Sequence, residues 1–128
     1  MASTTIAQPA HQTPRELRGL ALYEEHGTEI RFEDGVWLVP SQHDATSVYE
    51  VVIGRRGESC ECFDFEHRGI ACKHVHAATI ARAKTAPCSS CGRRVRRREL
   101  VEVQESLTYF EGDLLCHECW HSSDAEVL

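Results

Sequence analysis

Several features that mark common protein classes are missing from this chain. No apolar run approaches the roughly 20 residues that a membrane-crossing helix needs, so the sequence offers no candidate span. The opening stretch, MASTTIAQPAHQTP, has neither a basic segment nor an apolar one, and a secretory leader is not expected. Met1-Ala2 lacks the glycine of a myristoylation signal, and Cys119 stands too far from Leu128 for a prenyl box. A cytoplasmic protein without membrane attachment is therefore expected. Positive charge is also scarce: 14 Lys/Arg face 20 Asp/Glu, a formal net charge of −6. The molecule as a whole is not drawn to phosphate or anionic lipid. There is no H-E-x-x-H, no deaminase-type H-x-E…P-C-x-x-C, no phosphate-cradling glycine loop and no Ser/His/Asp set in recognisable context. The expectation is a chain that is not an enzyme and takes no small-molecule substrate.

What remains is a soluble globular composition, with 41% hydrophobic and 27% charged residues over 128 positions. That length suits one ordinary domain or two very small ones. Seven cysteines are the informative excess. An odd number leaves one over in a disulfide framework, and a reducing compartment favours metal or redox roles. Three cysteines with one histidine, then four cysteines, make two complete zinc quartets with none left over.

Residues 1–12 are small and polar and are expected to be disordered. Thr13-Pro14-Arg15-Glu16 spells a helix start, with Thr13 as cap, Pro14 in the first turn and Glu16 closing a capping box. Leu17, Leu20 and Ala21 are expected on one face, and Gly27 at its end. Strands are expected at Thr28–Glu33, Val36–Val39 and Ser47–Ile53, with turns at Asp34-Gly35 and Gly54–Gly57. Phe32, Trp37 and Tyr49 are read as core residues of this strand layer rather than base-stacking ones. A further strand carries Cys60 and Cys62, and a helix runs from about Lys73 to Lys84. Pro87 marks its end, and a second module begins at Cys88.

In the first cluster, Cys60-Glu-Cys62 is separated by nine residues from Cys72-Lys-His74. On a strand, positions i and i+2 share a face, so Cys60 and Cys62 can converge on one ion. On a helix they do not, so Cys72 should precede the helix and His74 should fall in its first turn. His67 and His76 are the other candidates for the fourth place. Asp64 and Glu66 are expected to orient the ligand loop rather than to do acid–base chemistry. This C-x-C…C-x-H pattern, with Val36–Gln42 ahead of it and Asp64 and Gly69 inside it, resembles the SWIM zinc finger as attached to bacterial and archaeal transposases. The resemblance covers about residues 28–84. It implies zinc on Cys60, Cys62, Cys72 and His74, and a module that binds DNA or proteins. At this length the chain cannot also hold a transposase catalytic domain.

In the second cluster, Cys88-Ser-Ser-Cys91-Gly92 and Cys116-His-Glu-Cys119 are two C-x-x-C pairs with 24 residues between them, a strong zinc signal. Gly92 suits a tight knuckle at positive φ. Glu99–Gln104 and Leu107–Phe110 read as strands, Glu111-Gly112-Asp113 as a turn, and the residues after Cys119 as a short helix. The order resembles a treble clef, and a zinc ribbon with two equal knuckles stays open. Val95, Leu100, Val101, Val103, Leu107, Tyr109, Phe110, Leu114 and Leu115 are most of its apolar supply. So small a module needs a metal, and structural zinc supplies on the order of 10–16 kcal/mol in finger peptides.

The expected fold is thus α+β. A small antiparallel sheet plus helices with a SWIM-type finger occupies residues 13–86. A treble-clef-like four-cysteine module follows at 87–128, and the cofactor is two zinc ions. With all seven thiols ionised and two zincs bound, −6 becomes −9. The partner is expected to be another protein, with the chain acting as an adaptor. The alternative is nucleic acid, held by Lys73, Arg82 and Lys84 of the SWIM helix and the run Arg93, Arg94, Arg96, Arg97, Arg98. If that run is extended, Arg94, Arg96 and Arg98 line one face. Glu99, Glu102 and Glu105 stand close enough in sequence to neutralise it.

Overall fold

The structure, a computed structural model, describes residues 13–44 and 46–128; the expected disorder of residues 1–12 lies outside them. Two compact units divide between Ala81 and Arg82. No helix among the described residues is long and apolar enough to cross a membrane.

The first unit opens with helix α1, Pro14–His26. The capping box forms as the sequence predicts: the Glu16 N–H donates to Thr13 Oγ1 at 3.2 Å, and the Thr13 N–H to Glu16 Oε1 at 2.6 Å. A 3₁₀ turn, Gly27–Glu29, takes over from the helix, and the φ of Gly27 is −57°. Glycine serves here by leaving room, because an added Cβ would stand 3.0 Å from the Tyr23 ring. The buried face is not the one that carries Leu17, Leu20 and Ala21. Gly19 and Leu22 point inward, whereas Leu17 and Ala21 are exposed. The rotation follows from a close helix crossing. A Cβ on Gly19 would collide with His76 Cβ and stand 3.0 Å from the Lys73 carbonyl. Only the glycine edge of α1 fits against that surface.

A four-stranded antiparallel meander follows: β1 Arg31–Glu33, β2 Val36–Pro40, β3 Val48–Gly54 and β4 Gly57–Cys60. β1 is shorter than expected because the 3₁₀ turn consumes its start. Asp34 and Gly35 both adopt positive φ, 52° and 84°, as a two-residue hairpin turn requires. Along β2 and β3, Trp37, Val39 and Val51 turn inward, while Val48 and Val52 face out. Phe32, expected in the core, is 42% exposed and lies against Trp37 with ring centroids 5.0 Å apart. Helix α3, Lys73–Lys84, has the limits that the sequence predicts and buries Val75, Ala77, Ala78 and Ala81. Its small side chains permit the close approach that Gly19 requires. Leu22, Val39, Val51, Val75 and Cys72 form the fully buried centre.

The second unit starts within the last turn of α3. Strand β5, Thr85–Pro87, pairs with β6, Arg94–Arg96, and β7, Val101–Glu102, pairs with β8, Leu114–Leu115. Helix α4, His117–His121, follows directly. The chain then returns to bridge Val127 to Val103. The expected strand at Leu107–Phe110 is absent. Ser106–Tyr109 is a turn instead, leaving Leu107 100% and Phe110 76% exposed. Leu114-Leu115 takes the pairing place beside Val101, because Leu115 is the side chain that reaches the core. That core is small: Val103 and Leu115 fully buried, with Cys88, Cys116 and Ala125 around them.

Candidate metal centres

Cys60 ends β4 opposite Val51, which in turn pairs with Trp37. Cross-strand partners share a face, so the Cys60 sulfur is carried into the core by the same register that buries Trp37 and Val51. Cys62 does not continue the strand. It caps helix α2, Phe63–Arg68, with its Sγ accepting the Phe65 N–H at 3.4 Å. The nine-residue link, expected as a loop, is mostly this helix. Gly69 ends it at φ 68°, its N–H donating to the Phe65 carbonyl at 2.8 Å. Cys72 immediately precedes α3, and His74 falls in its first turn. His74 Nδ1 lies 3.7 Å from Cys72 Sγ and 3.9 Å from Cys60 Sγ. All four residues are at most 5% exposed, and the Tyr49 ring covers the imidazole at 4.3 Å between centroids. His67 stacks on Phe63, and His76 sits at the crossing with Gly19; neither joins the quartet.

The four ligand atoms lie within 4.8 Å of one another. Tetrahedral zinc with sulfur at about 2.3 Å and nitrogen at about 2.0 Å separates its ligands by roughly 3.5–3.8 Å, so the quartet fits that ion with small adjustments. Its acid–base chemistry fits too. The hydrogen bond from the Cys60 thiol, with further bonds from His74 and the Val75 N–H, holds Cys72 down at about 3. That same bond pushes Cys60 up, and burial raises Cys62. The donors converge on the Cys72 sulfur and favour its ionised form, and a divalent cation bound there would take their place as the counter-charge.

Arg15 supports this quartet from α1. Its Nε and Nη2 each donate to an Asp64 carboxylate oxygen at 2.9 Å. Asp64 thereby orients the first turn of α2, as expected, and its carboxyl falls below the usual range beside that guanidinium. Arg15 is itself raised, by Asp64 first and by the Cys72 thiolate more weakly. No local sequence signal marks this partnership across 49 residues.

In the second quartet, the loop of the β5–β6 hairpin is the knuckle. The Cys88 N–H donates to the Arg93 carbonyl at 2.9 Å, and the Gly92 N–H to the Cys88 carbonyl at 2.9 Å, with Gly92 at φ 77°. The N–H groups of Ser90 and Cys116 each approach Cys88 Sγ at 3.4 Å. Burial pushes the Cys88 thiol up, but these donors and the Cys91 N–H outweigh it and hold the group at about 6. Hydrogen bonding to Cys116 raises Cys119 to about 12. Cys116 caps α4 and Cys119 lies in its first turn. One knuckle, a hairpin and a helix opened by the second pair give the treble-clef order. The four sulfurs again lie within 4.8 Å of one another. Each quartet supplies four protein ligands, and together they are sites for two zinc ions. His117 is exposed at the start of α4 and is not a member.

The expected basic stripe does not form. Only Arg94–Arg96 is extended, and Arg97–Glu99 is a 3₁₀ turn that carries Arg98 off the line. Arg94 is half-buried, donating to Thr85 Oγ1 at 3.1 Å and to the carbonyls of Thr85 at 3.1 Å and Arg82 at 3.2 Å. Arg97 reaches the Ala83 carbonyl at 3.2 Å. These arginines therefore satisfy carbonyls at the end of α3. Arg93 lies 3.6 Å from Cys116 Sγ and 3.3 Å from Glu118. Arg96 is half-buried, and Arg82, Lys84 and Arg98 are exposed. Lys73, in the first unit, donates to Gln42 at 2.7 Å.

The comparisons with known proteins agree with the first quartet. The family model for the SWIM zinc finger matches residues 49–83, from Tyr49 through all four ligands to the last turn of α3. No curated protein and no solved structure matches the chain.

Proposed function

We propose, from the match of residues 49–83 to the SWIM zinc finger model, that the chain is a non-catalytic adaptor, built on two structural zincs, that docks a protein partner. The observation carrying this reading is the use of the arginine run. Three of its five members, Arg93, Arg94 and Arg97, are bonded to a cysteine sulfur, a carboxylate and backbone carbonyls of their own unit. Guanidiniums held in this way are poor phosphate ligands, and the net charge of −6 opposes a polyanion further. Four protein ligands at each metal leave no position for a substrate, which supports a structural rather than a catalytic role for the zinc.

The test is an anisotropy titration of the zinc-loaded chain against single-stranded DNA, duplex DNA and RNA at two salt concentrations. The reading predicts flat curves at low salt and a discrete partner in affinity capture. Micromolar binding that weakens steeply with salt, and is lost in an Arg96→Ala/Arg98→Ala variant, would replace it with nucleic-acid binding.

A further inference from the structure

The two quartets have the same ligand count and very different cover. Cys60, Cys62, Cys72 and His74 are all buried, under the Tyr49 ring on one side. In the second quartet Cys88 and Cys116 are 2% and 3% exposed, but Cys91 is exposed and Cys119 partly so. Arg93 covers the Cys116 sulfur, and the N–H groups of Ser90 and Cys116 cover that of Cys88. One residue of each C-x-x-C pair is thus open to solvent, and the sulfurs of the two lie within 4.8 Å of each other. Access and thiolate character decide which cysteines are oxidised, and zinc-bound sulfur is thiolate.

We propose that Cys91 and Cys119 are a modification site: a hydroperoxide oxidises them to a disulfide and releases the second zinc, while the first quartet keeps its ion. With hydrogen peroxide, the Cys91 thiolate attacks one peroxide oxygen. An S–O bond forms, the O–O bond breaks, and the departing hydroxide takes a solvent proton to leave as water. The Cys119 thiolate then attacks the Cys91 sulfenic sulfur. The S–S bond forms, the S–O bond breaks, and a second water leaves with a second solvent proton. Two thiolates lose two electrons in total, and one peroxide is reduced to two waters. Disulfide sulfurs stand about 2.05 Å apart, so the two side chains must close the remaining gap, and two of the four zinc ligands are gone. The knuckle and α4 hang on that ion around a core of two fully buried side chains, so its loss loosens the second unit.

The experiment treats the full zinc-loaded chain with hydrogen peroxide. Released zinc is followed with a chromogenic chelator, retained zinc by native mass spectrometry, and disulfides by peptide mapping. The expected result is loss of one zinc of two, at least about tenfold faster than the other, with a Cys91–Cys119 bridge and recovery on thiol reduction with added zinc. Cys119→His, which keeps a fourth ligand but cannot form the bridge, should slow that loss. Simultaneous loss of both ions, earlier loss from the Cys60 quartet, a bridge between other sulfurs, or retention of both ions would each overturn the proposal.

Discussion

The crossing of α1 over α3 gives a prediction whose sign runs against helix propensity. Gly19 lies in the interior of α1, where replacement by alanine ordinarily stabilises by about 1 kcal/mol. Here the added methyl would meet His76 Cβ and stand 3.0 Å from the Lys73 carbonyl and 3.2 Å from the Ala77 nitrogen. None of these atoms is the end of a flexible side chain, so relief requires the helices to part. Overpacking of this kind costs about 1–3 kcal/mol, and the rigid neighbours favour the upper part of that range. Gly19→Ala should therefore destabilise the first unit by about 1–2 kcal/mol net. In a domain of this size each kcal/mol lowers the melting midpoint by about 4–8 °C. The assay is thermal melting of the zinc-loaded protein followed by helical circular dichroism. His76 shares a helix with the ligand His74, so zinc affinity of the first quartet should fall in the same variant. An unchanged or higher midpoint would show that α1 does not pack on α3 at Gly19.

Further outcomes follow from other contacts. Leu22→Ala, at a fully buried site, should cost about 2–5 kcal/mol in chemical denaturation, and a loss under 1 kcal/mol would remove Leu22 from the core. Arg94→Gln removes charged hydrogen bonds to the end of α3 and should destabilise the second unit by about 1–2 kcal/mol, read as a lowered denaturation midpoint; an unshifted midpoint would show those bonds to be dispensable. The Asp44 carboxyl is held below its usual range by the Ser47 hydroxyl first, then by Thr46. A lowered folded-state value means that its contribution is present above the unfolded value near 3.9 and is lost as pH falls through the lower folded one. Ser47→Ala should move the Asp44 carboxyl titration upward by NMR, and an unmoved titration would assign the lowering elsewhere.

The two ligand sets were legible in the sequence because metal coordination is local in pattern: C-x-C, C-x-H and C-x-x-C each bring a pair of donors close before any folding. The limits of α3 and the start of α1 were legible for a similar reason, since caps and proline act within a turn. What escaped was set by partners distant in sequence. The face of α1 is set by Gly19 against His76, by Arg15 against Asp64 and by the buried Leu22, not by the Leu17, Leu20 and Ala21 grouping. Helix α2 is six residues long, too short for a hydrophobic period, and was hidden inside the ligand spacing. Leu107 and Phe110 read as strand from composition, but the chain turns at Ser106–Tyr109 and offers the pairing to Leu114-Leu115. The arginine run offered a surface for phosphate as the alternative reading. Its orientation depended on carbonyls left open at the end of α3, which no sequence pattern records.

Two separate quartets each hold one zinc ion. Native mass spectrometry of freshly purified chain tests it most directly, alongside Cys72→Ser and Cys116→Ser. Two zinc ions are expected in the unaltered chain and one in each variant, with the remaining ion in the untouched quartet. Fewer than two ions in the unaltered chain, or two ions in either variant, would contradict it.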